Sequence, residues 1–247
     1  MTGPHLRAHT SVSFAALLAA GRPVVALVPV GSVEPHGPHL SLLTDVVISE
    51  AACARAVARL DERGLAAVIA PAVGFGVTDC AAGFAGAASV PAAALTAWLR
   101  AVADALLAAG CAHVCLVNNH LEPAQDAAVR AAAGARVSVA CPLTRQWART
   151  LTDEFKSGAC HAGQYETSIV LAADPALVDD GARAALPVVP ISLADGLRAG
   201  LTTFAAMGMD AAYAGAPAAA TAAEGAATLE RLAEMIEGEV VAAMGAA

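Results

Sequence analysis

The chain has 247 residues, of which 57% are hydrophobic and 15% are charged, and its formal net charge is −8. This composition excludes a chain that is disordered throughout, because disorder requires few apolar residues and many charges. Lys156 is the only lysine and no basic run occurs, which argues against a nucleic-acid-binding surface. The length suits a single α/β domain over residues 1–247, since such domains often reach roughly 200–250 residues.

Apolar strand-like runs alternate with segments of helical spacing along the chain. These patterns predict helices at 14–20, 45–61, 91–109, 124–133 and 222–244, and strands at 24–30, 66–73, 113–117 and 137–141. Residues 167–171 fit either a strand or the start of a helix. The alternation predicts a three-layer αβα sandwich with a mostly parallel central sheet. In such folds, catalytic and ligand-binding residues lie in the loops that follow the carboxyl ends of the strands.

The cysteines and the uncharged segments indicate the cellular compartment. None of the six cysteines forms a Cys-x-x-Cys motif and several lie in apolar runs, which predicts reduced, buried thiols. Residues 80–99 carry no charge and have the length of a membrane span. Their glycines and Pro91 favour a loop followed by a helix instead. We therefore expect a soluble, cytoplasmic protein without a membrane partner.

The first polar cluster directly follows the predicted strand at 24–30. It contains Glu34, His36 and His39, and Asp45 follows shortly after. Residues two apart in an extended segment point the same way, and Pro35 favours the extended conformation for Glu34. Glu34 and His36 are therefore expected to reach one point, whereas His39 is expected to have a supporting or structural role. A Glu-x-His pair alone is more often a surface pair than a site.

The second polar cluster, at 118–122, directly follows the predicted strand at 113–117 and contains His120 and Glu122. Both clusters are expected at the same edge of a parallel sheet. Together with Asp45 they offer two imidazoles and three carboxylates, a set that suits Zn²⁺ or Mn²⁺ and is compatible with Fe²⁺. A single catalytic metal ion must keep one coordination position free for water or substrate, so five protein ligands are too many for it. Five ligands fit two metal ions about 3.5–4 Å apart. The alternative is a loop in which the asparagines only form a turn.

The third cluster adds one more imidazole and one more carboxylate, His161 and Glu166. His161 is the candidate for proton transfer because the other two clusters already supply ligands. Glu166 also fits the first turn of a helix. The glycine-rich loop at 74–86 is expected to line the substrate side, with Thr78 and Asp79 as its polar candidates.

At these residues the chain resembles the creatininase (creatinine amidohydrolase) family. Residues 31–41 and 44–45 are similar to the family pattern Gly-Ser-x-Glu-Gln-His-Gly-Pro-His-Leu-Pro followed by Thr-Asp, with Pro35 and Ser41 as departures. Residues 161–168 are similar to the family's His-Ala-Gly-x-x-Glu-Thr-Ser segment. The resemblance extends over roughly residues 20–240.

The resemblance implies a creatininase-like fold, a homo-oligomer such as a hexamer, and two divalent metal ions. The ligands that it implies are Glu34, His36, Asp45, His120 and Glu122. Asp45 would bridge the ions, and His161 would be the catalytic acid and base. Many family members lack a carboxylate at the position of Glu122, so Glu166 would replace it at the second metal if Glu122 points away. Either Glu122 or Glu166 would move the proton of the attacking water.

The implied reaction is hydrolysis of a C–N bond in a small amide, a cyclic amide or a formamide. Creatinine is disfavoured, because creatininase closes tryptophans over its substrate and residues 155–160 contain none here. The family also includes a deformylase of a formamidopyrimidine nucleotide and a peptidase that acts on the mycofactocin precursor. The alternative is a catalytically inactive metal-binding or assembly subunit of a biosynthetic pathway, against which the intact ligand set argues.

Overall fold

A four-stranded parallel sheet lies at the centre of the computed structural model, which describes residues 3–245. Its strands are β1 (Val24–Val30), β2 (Ala66–Ile69), β3 (His113–Asn118) and β4 (Val137–Ala140), in the spatial order β2-β1-β3-β4. β1 and β3 are neighbours, and Val30 pairs with Asn118 in the ladder. The two strands therefore deliver the loops that follow them to one place.

The α-helices of the described residues alternate with these strands in the first half of the chain and follow one another in the second half. They are α1 (Ser11–Leu18), α2 (Thr44–Glu62), α3 (Ala92–Ala108), α4 (Pro123–Ala131), α5 (Arg145–Ala148), α6 (Asp153–Ser157), α7 (Gln164–Ala173), α8 (Asp180–Ala185), α9 (Leu193–Arg198) and α10 (Ala222–Met244).

Helices cover both faces of the sheet, as predicted. α2, α7 and α10 pack on the face that presents Leu27 and Cys115, while α3 and α4 pack on the face that presents Val28 and Leu116, with α1 alongside. The continuous apolar strands follow from burial on both faces. α7 and α10 approach closely at Gly225, where an added Cβ would overlap the carbonyl group of Ser168. This contact fixes the helix that carries Glu166.

The predicted boundaries differ from the structure mainly at β2 and beyond β4. β2 ends at Ile69 instead of residue 73, because Pro71 cannot donate a ladder hydrogen bond. The 167–171 segment lies within α7, so the helical alternative is correct. The short helices α5, α6, α8 and α9 were not predicted, since one or two turns show no helical period. Within residues 3–245, no helix combines the length and the apolarity that crossing a membrane would require.

Candidate active site

The three polar clusters meet at the carboxyl edge of the sheet. The loop after β1 carries Glu34 and His36, and α2 then turns back so that Asp45 lies in its first turn. Gly31 permits this return, because an added Cβ there would lie 2.9 Å from the Cβ of Asp45. The loop after β3 supplies His120 and Glu122 from the neighbouring strand.

Every metal-ligand and catalytic candidate named from the sequence lies at this edge of the sheet, in a cluster of side chains that we call the metal-ligand centre, or the centre. All are buried, with no more than 9% of any of them exposed: Glu34, His36, Asp45, His120, Glu122, His161 and Glu166. His39, expected in a supporting role, is also buried, and one of its ring nitrogens lies 2.9 Å from the hydroxyl of Thr167.

The Asp45 carboxylate faces an imidazole with each of its oxygens. Oδ1 lies 3.3 Å from Nε2 of His36, and Oδ2 lies 3.0 Å from Nδ1 of His120. Oε2 of Glu34 lies on the same side, 3.2 Å from Nδ1 of His120. Asp45 thus stands between the ligand pairs of the two loops.

Each histidine of the centre uses one ring nitrogen to bind a backbone carbonyl. Nδ1 of His36 lies 3.0 Å from the carbonyl oxygen of Glu34, Nε2 of His120 lies 2.8 Å from that of Val77, and Nε2 of His161 lies 3.0 Å from that of Pro35. Carbonyl oxygens only accept, so these nitrogens are the donors. The other nitrogen of each ring then faces the carboxylates, which is how metal-binding histidines are commonly oriented.

The donors form three groups, of which two share no residue, while the third joins Glu34, His36 and His161. Glu34, His120 and Glu122 bring one ligand atom each to within 4.8 Å of one another, and so do His36, Asp45 and Glu166. Within residues 3–245, Nε2 of His36 and Oδ2 of Asp45 are buried without a hydrogen-bond partner. Buried polar atoms are normally satisfied. Imidazole and carboxylate donors without partners fit divalent cations such as Zn²⁺ or Mn²⁺.

Glu122 and Glu166 both face the centre, but on different sides of it. The oxygens of Glu122 accept backbone N–H groups from Asp79 at 3.2 Å and from Cys80 at 3.0 Å. Oε2 of Glu166 accepts the N–H of Ala162 at 2.7 Å and lies 3.6 Å from Nε2 of His36. Of these two glutamates, Glu166 is the one beside His36, and Glu122 is grouped with Glu34 and His120. The loop residue Thr78 also contributes, since its hydroxyl donates to Oε1 of Glu34.

The charges of the centre are mutually dependent. Burial raises the pKa of Glu34, but His120 and His161 outweigh it and bring that pKa to about 2. Burial lowers the pKa of His36, but Asp45 outweighs it and raises that pKa to about 10. Burial also raises the pKa of Glu166 to about 8. The carboxylates therefore require positive charge beside them, from protons on the imidazoles or from bound cations.

A cavity of about 290 Å³ opens onto the centre. Its walls beyond the polar floor are mainly apolar and include Leu121, Leu143, Phe155, Leu193, Leu197, Phe204 and Met207. The ring of Phe204 lies 4.3 Å from that of His161 between centroids. Phe204 was not predicted from the sequence, because no motif surrounds it. Trp147, the tryptophan nearest to the third cluster in sequence, instead donates from Nε1 to Glu239 of α10.

Comparisons with known proteins identify the family and the fold. The creatininase family model, described as creatinine amidohydrolase, matches residues 8–239. The mycofactocin precursor peptide peptidase of Mycobacterium tuberculosis is 33% identical over 214 residues, which are 81% of this chain and 77% of that protein. A structure titled creatininase Mn is 24% identical, with 97% of this chain and 98% of that chain covered and a TM-score of 0.69. A mutant creatininase of Zn-Zn type is 22% identical, with 98% of each chain covered and a TM-score of 0.68.

Proposed function

Because the chain belongs to the creatininase family of metal-dependent hydrolases, we propose that it is a binuclear amidohydrolase. One ion would be held by Glu34, His120 and Glu122, and the other by His36 and Glu166. Asp45 would bridge the two ions. The preferred ions are Zn²⁺ and Mn²⁺, and Fe²⁺ fits the same donors.

One observation carries this proposal: the two oxygens of Asp45 face His36 and His120 from opposite donor groups. A mononuclear site would leave one of the two groups that share no residue without a cation, although Asp45 of one group also faces His120 of the other. We assign Glu166 to the second ion in place of Glu122, because Glu166 shares a group with His36 and Asp45 whereas Glu122 is grouped with Glu34 and His120.

Bound divalent ions would activate a water molecule and polarise the substrate carbonyl. The chain's own residues then handle the protons. Burial and the neighbouring His36 lower the pKa of His161 to about 4, so its Nδ1 is a free acceptor at neutral pH. That nitrogen lies 3.8 Å from Oε2 of Glu34, and the ring lines the cavity. Glu122 or Glu166 would take the proton of the attacking water, and Nδ1 of His161 would receive that proton and pass it to the leaving nitrogen.

The substrate side favours an amide with apolar groups, because the walls of the cavity are mainly apolar. Small amides, cyclic amides and formamides all present the same C–N bond to the centre. The similar protein from M. tuberculosis is named for a peptide substrate, so short peptides belong in the set to be tested. Creatinine is a weaker candidate, since phenylalanines and not tryptophans line this cavity.

The test combines metal analysis with turnover. Protein purified without chelator and saturated with Zn²⁺ or Mn²⁺ should hold two ions per chain, and a stoichiometry that stays at one would contradict the binuclear site. The loaded protein should hydrolyse at least one member of a panel of blocked peptides, lactams and formamides. Two ions without any turnover would support the inactive metal-binding subunit instead. Light scattering on the same sample tests the homo-oligomer that the family resemblance implies.

A further inference from the structure

The cavity joins a charged floor to apolar walls, and among residues 3–245 one lysine and no arginine line it. That residue is Lys156, in α6. Its side chain lines the cavity and is 45% exposed, so it also reaches solvent. The floor beneath carries the carboxylates of the metal-ligand centre.

The helix that carries Lys156 is held firmly against the centre by the two residues before it. The ring of Phe155 packs on that of Tyr165, with the centroids 4.9 Å apart. The carboxylate of Glu154 accepts the backbone N–H groups of Tyr165 and Ala216, both at 2.7 Å. Tyr165 directly precedes Glu166 in α7, so the backbone of Lys156 is fixed relative to the metal-ligand centre.

The ammonium group of Lys156 has only a weak internal partner. Nζ of Lys156 lies 2.6 Å from Oδ1 of Asp153 in the same helix, and the side chain of Asp153 is 99% exposed. Exposed pairs of this kind contribute little to stability, because water screens the two charges. Lys156 can therefore exchange this partner for an anion that enters the cavity.

We propose that Lys156 binds a carboxylate of the substrate, which would then be an apolar amide that bears an acidic group away from the scissile bond. This inference rests on the proposed function and adds the substrate class. The amide carbonyl would go to the floor, and the apolar part would contact walls such as Leu197 and Met207. The acidic group would lie at the Lys156 end, because the carboxylates of the floor would repel it.

The test uses two probes that differ only in this charge, N-acetyl-leucine and N-acetyl-leucinamide. Binding of each to Zn²⁺-loaded protein is measured by calorimetry, and hydrolysis of each is followed separately. The parent should prefer the carboxylate about tenfold, as expected for one charge-assisted contact. Lys156→Met should abolish the preference and leave the affinity for the amide unchanged, whereas Lys156→Arg should retain most of it.

Arg231→Met is the matched control, because Arg231 forms an exposed pair with Glu234 three residues on and does not line the cavity. It should keep the parental preference. A preference that survives in Lys156→Met would overturn the proposal, since the carboxylate would then be bound elsewhere, for example by the metals. Absence of binding by the carboxylate probe would overturn it as well. Binding with the expected preference but without hydrolysis of any probe would refute the proposed turnover and leave the Lys156 site standing.

Discussion

The ring of Phe204 lies against the ring of His161, with the centroids 4.3 Å apart and the planes inclined by 35°. The ring of His36 lies 4.5 Å from His161 as well. The backbone N–H of Phe204 donates to the carbonyl of Cys80, and the N–H of Cys80 is bound to Glu122. Phe204 therefore connects the loop above the cavity to two residues of the centre.

We expect Phe204 to be a positioning residue for His161. Phe204→Leu removes the aromatic contact and should lower kcat about tenfold with little change in KM and unchanged metal content, whereas Phe204→Tyr should restore most of kcat. Phe84→Leu is the control, because Phe84 packs in the same apolar cluster and is not among the ring neighbours of His161. Equal losses in Phe204→Leu and Phe84→Leu would show that only packing is involved.

His161 itself should be required for turnover and not for metal binding. Removing a general acid or base typically costs about 10²–10⁴ in rate, so His161→Ala should lose kcat in that range and keep both ions. Metal content and steady-state kinetics on the same preparation decide the matter. A variant without metal would make His161 a ligand, a role that its grouping with Glu34 and His36 allows, and parental activity would leave it only a structural role.

Asp45 should matter more to metal binding than any other single ligand. Its carboxylate faces both donor groups, and without it two divalent cations would repel each other at close range. Asp45→Ala is therefore expected to lose both ions, whereas Glu34→Ala should mainly lose one. Elemental analysis after dialysis distinguishes the two variants. Two tightly held ions in Asp45→Ala would assign the bridge to another residue.

The sequence predicted the site from short-range features. The Glu34–His36 and His120–Glu122 pairs each follow a buried strand, and neighbouring parallel strands necessarily deliver such pairs to one edge. The spacing of residues could not predict that Glu166 lies beside His36. This position depends on where α7 packs against α10 at Gly225. Lys156 was likewise not predictable as a cavity residue, because its place depends on long-range contacts that the sequence does not display.

Metal binding should release protons. In the metal-free protein the pKa of His36 is about 10 and that of Glu166 is about 8, so both groups hold a proton at pH 7. A cation must displace these protons, and its apparent affinity should therefore rise as the pH increases from 6 to 8. Calorimetric titration of Zn²⁺ in buffers with different ionisation enthalpies measures the number released. An affinity independent of pH over this range would contradict the charge state described for the centre.

Glu237 is expected to contribute pH-dependent stability away from the site. It lies on α10 and accepts hydrogen bonds from Nε of Arg59 at 2.8 Å and from Nε of Arg63 at 2.7 Å, both on α2. Burial alone would raise the pKa of Glu237, but the two arginines outweigh it and lower that pKa. A carboxylate with a lowered pKa stabilises the fold above its unfolded pKa of about 4.3, and that contribution is lost as the pH falls through the folded value.

Glu237→Gln should therefore lower the free energy of unfolding by about 1 kcal/mol at pH 7, as measured by urea denaturation. The difference from the parent should shrink as the pH falls below the ordinary range of a glutamate, because the parent side chain then also becomes neutral. Glu230→Gln is the control, since Glu230 pairs with Arg55 and both side chains are nearly half exposed, so the change should alter stability little. A destabilisation by Glu237→Gln of the same size at pH 7 and at pH 3 would show that side-chain packing, and not the ion pairs with α2, accounts for the effect.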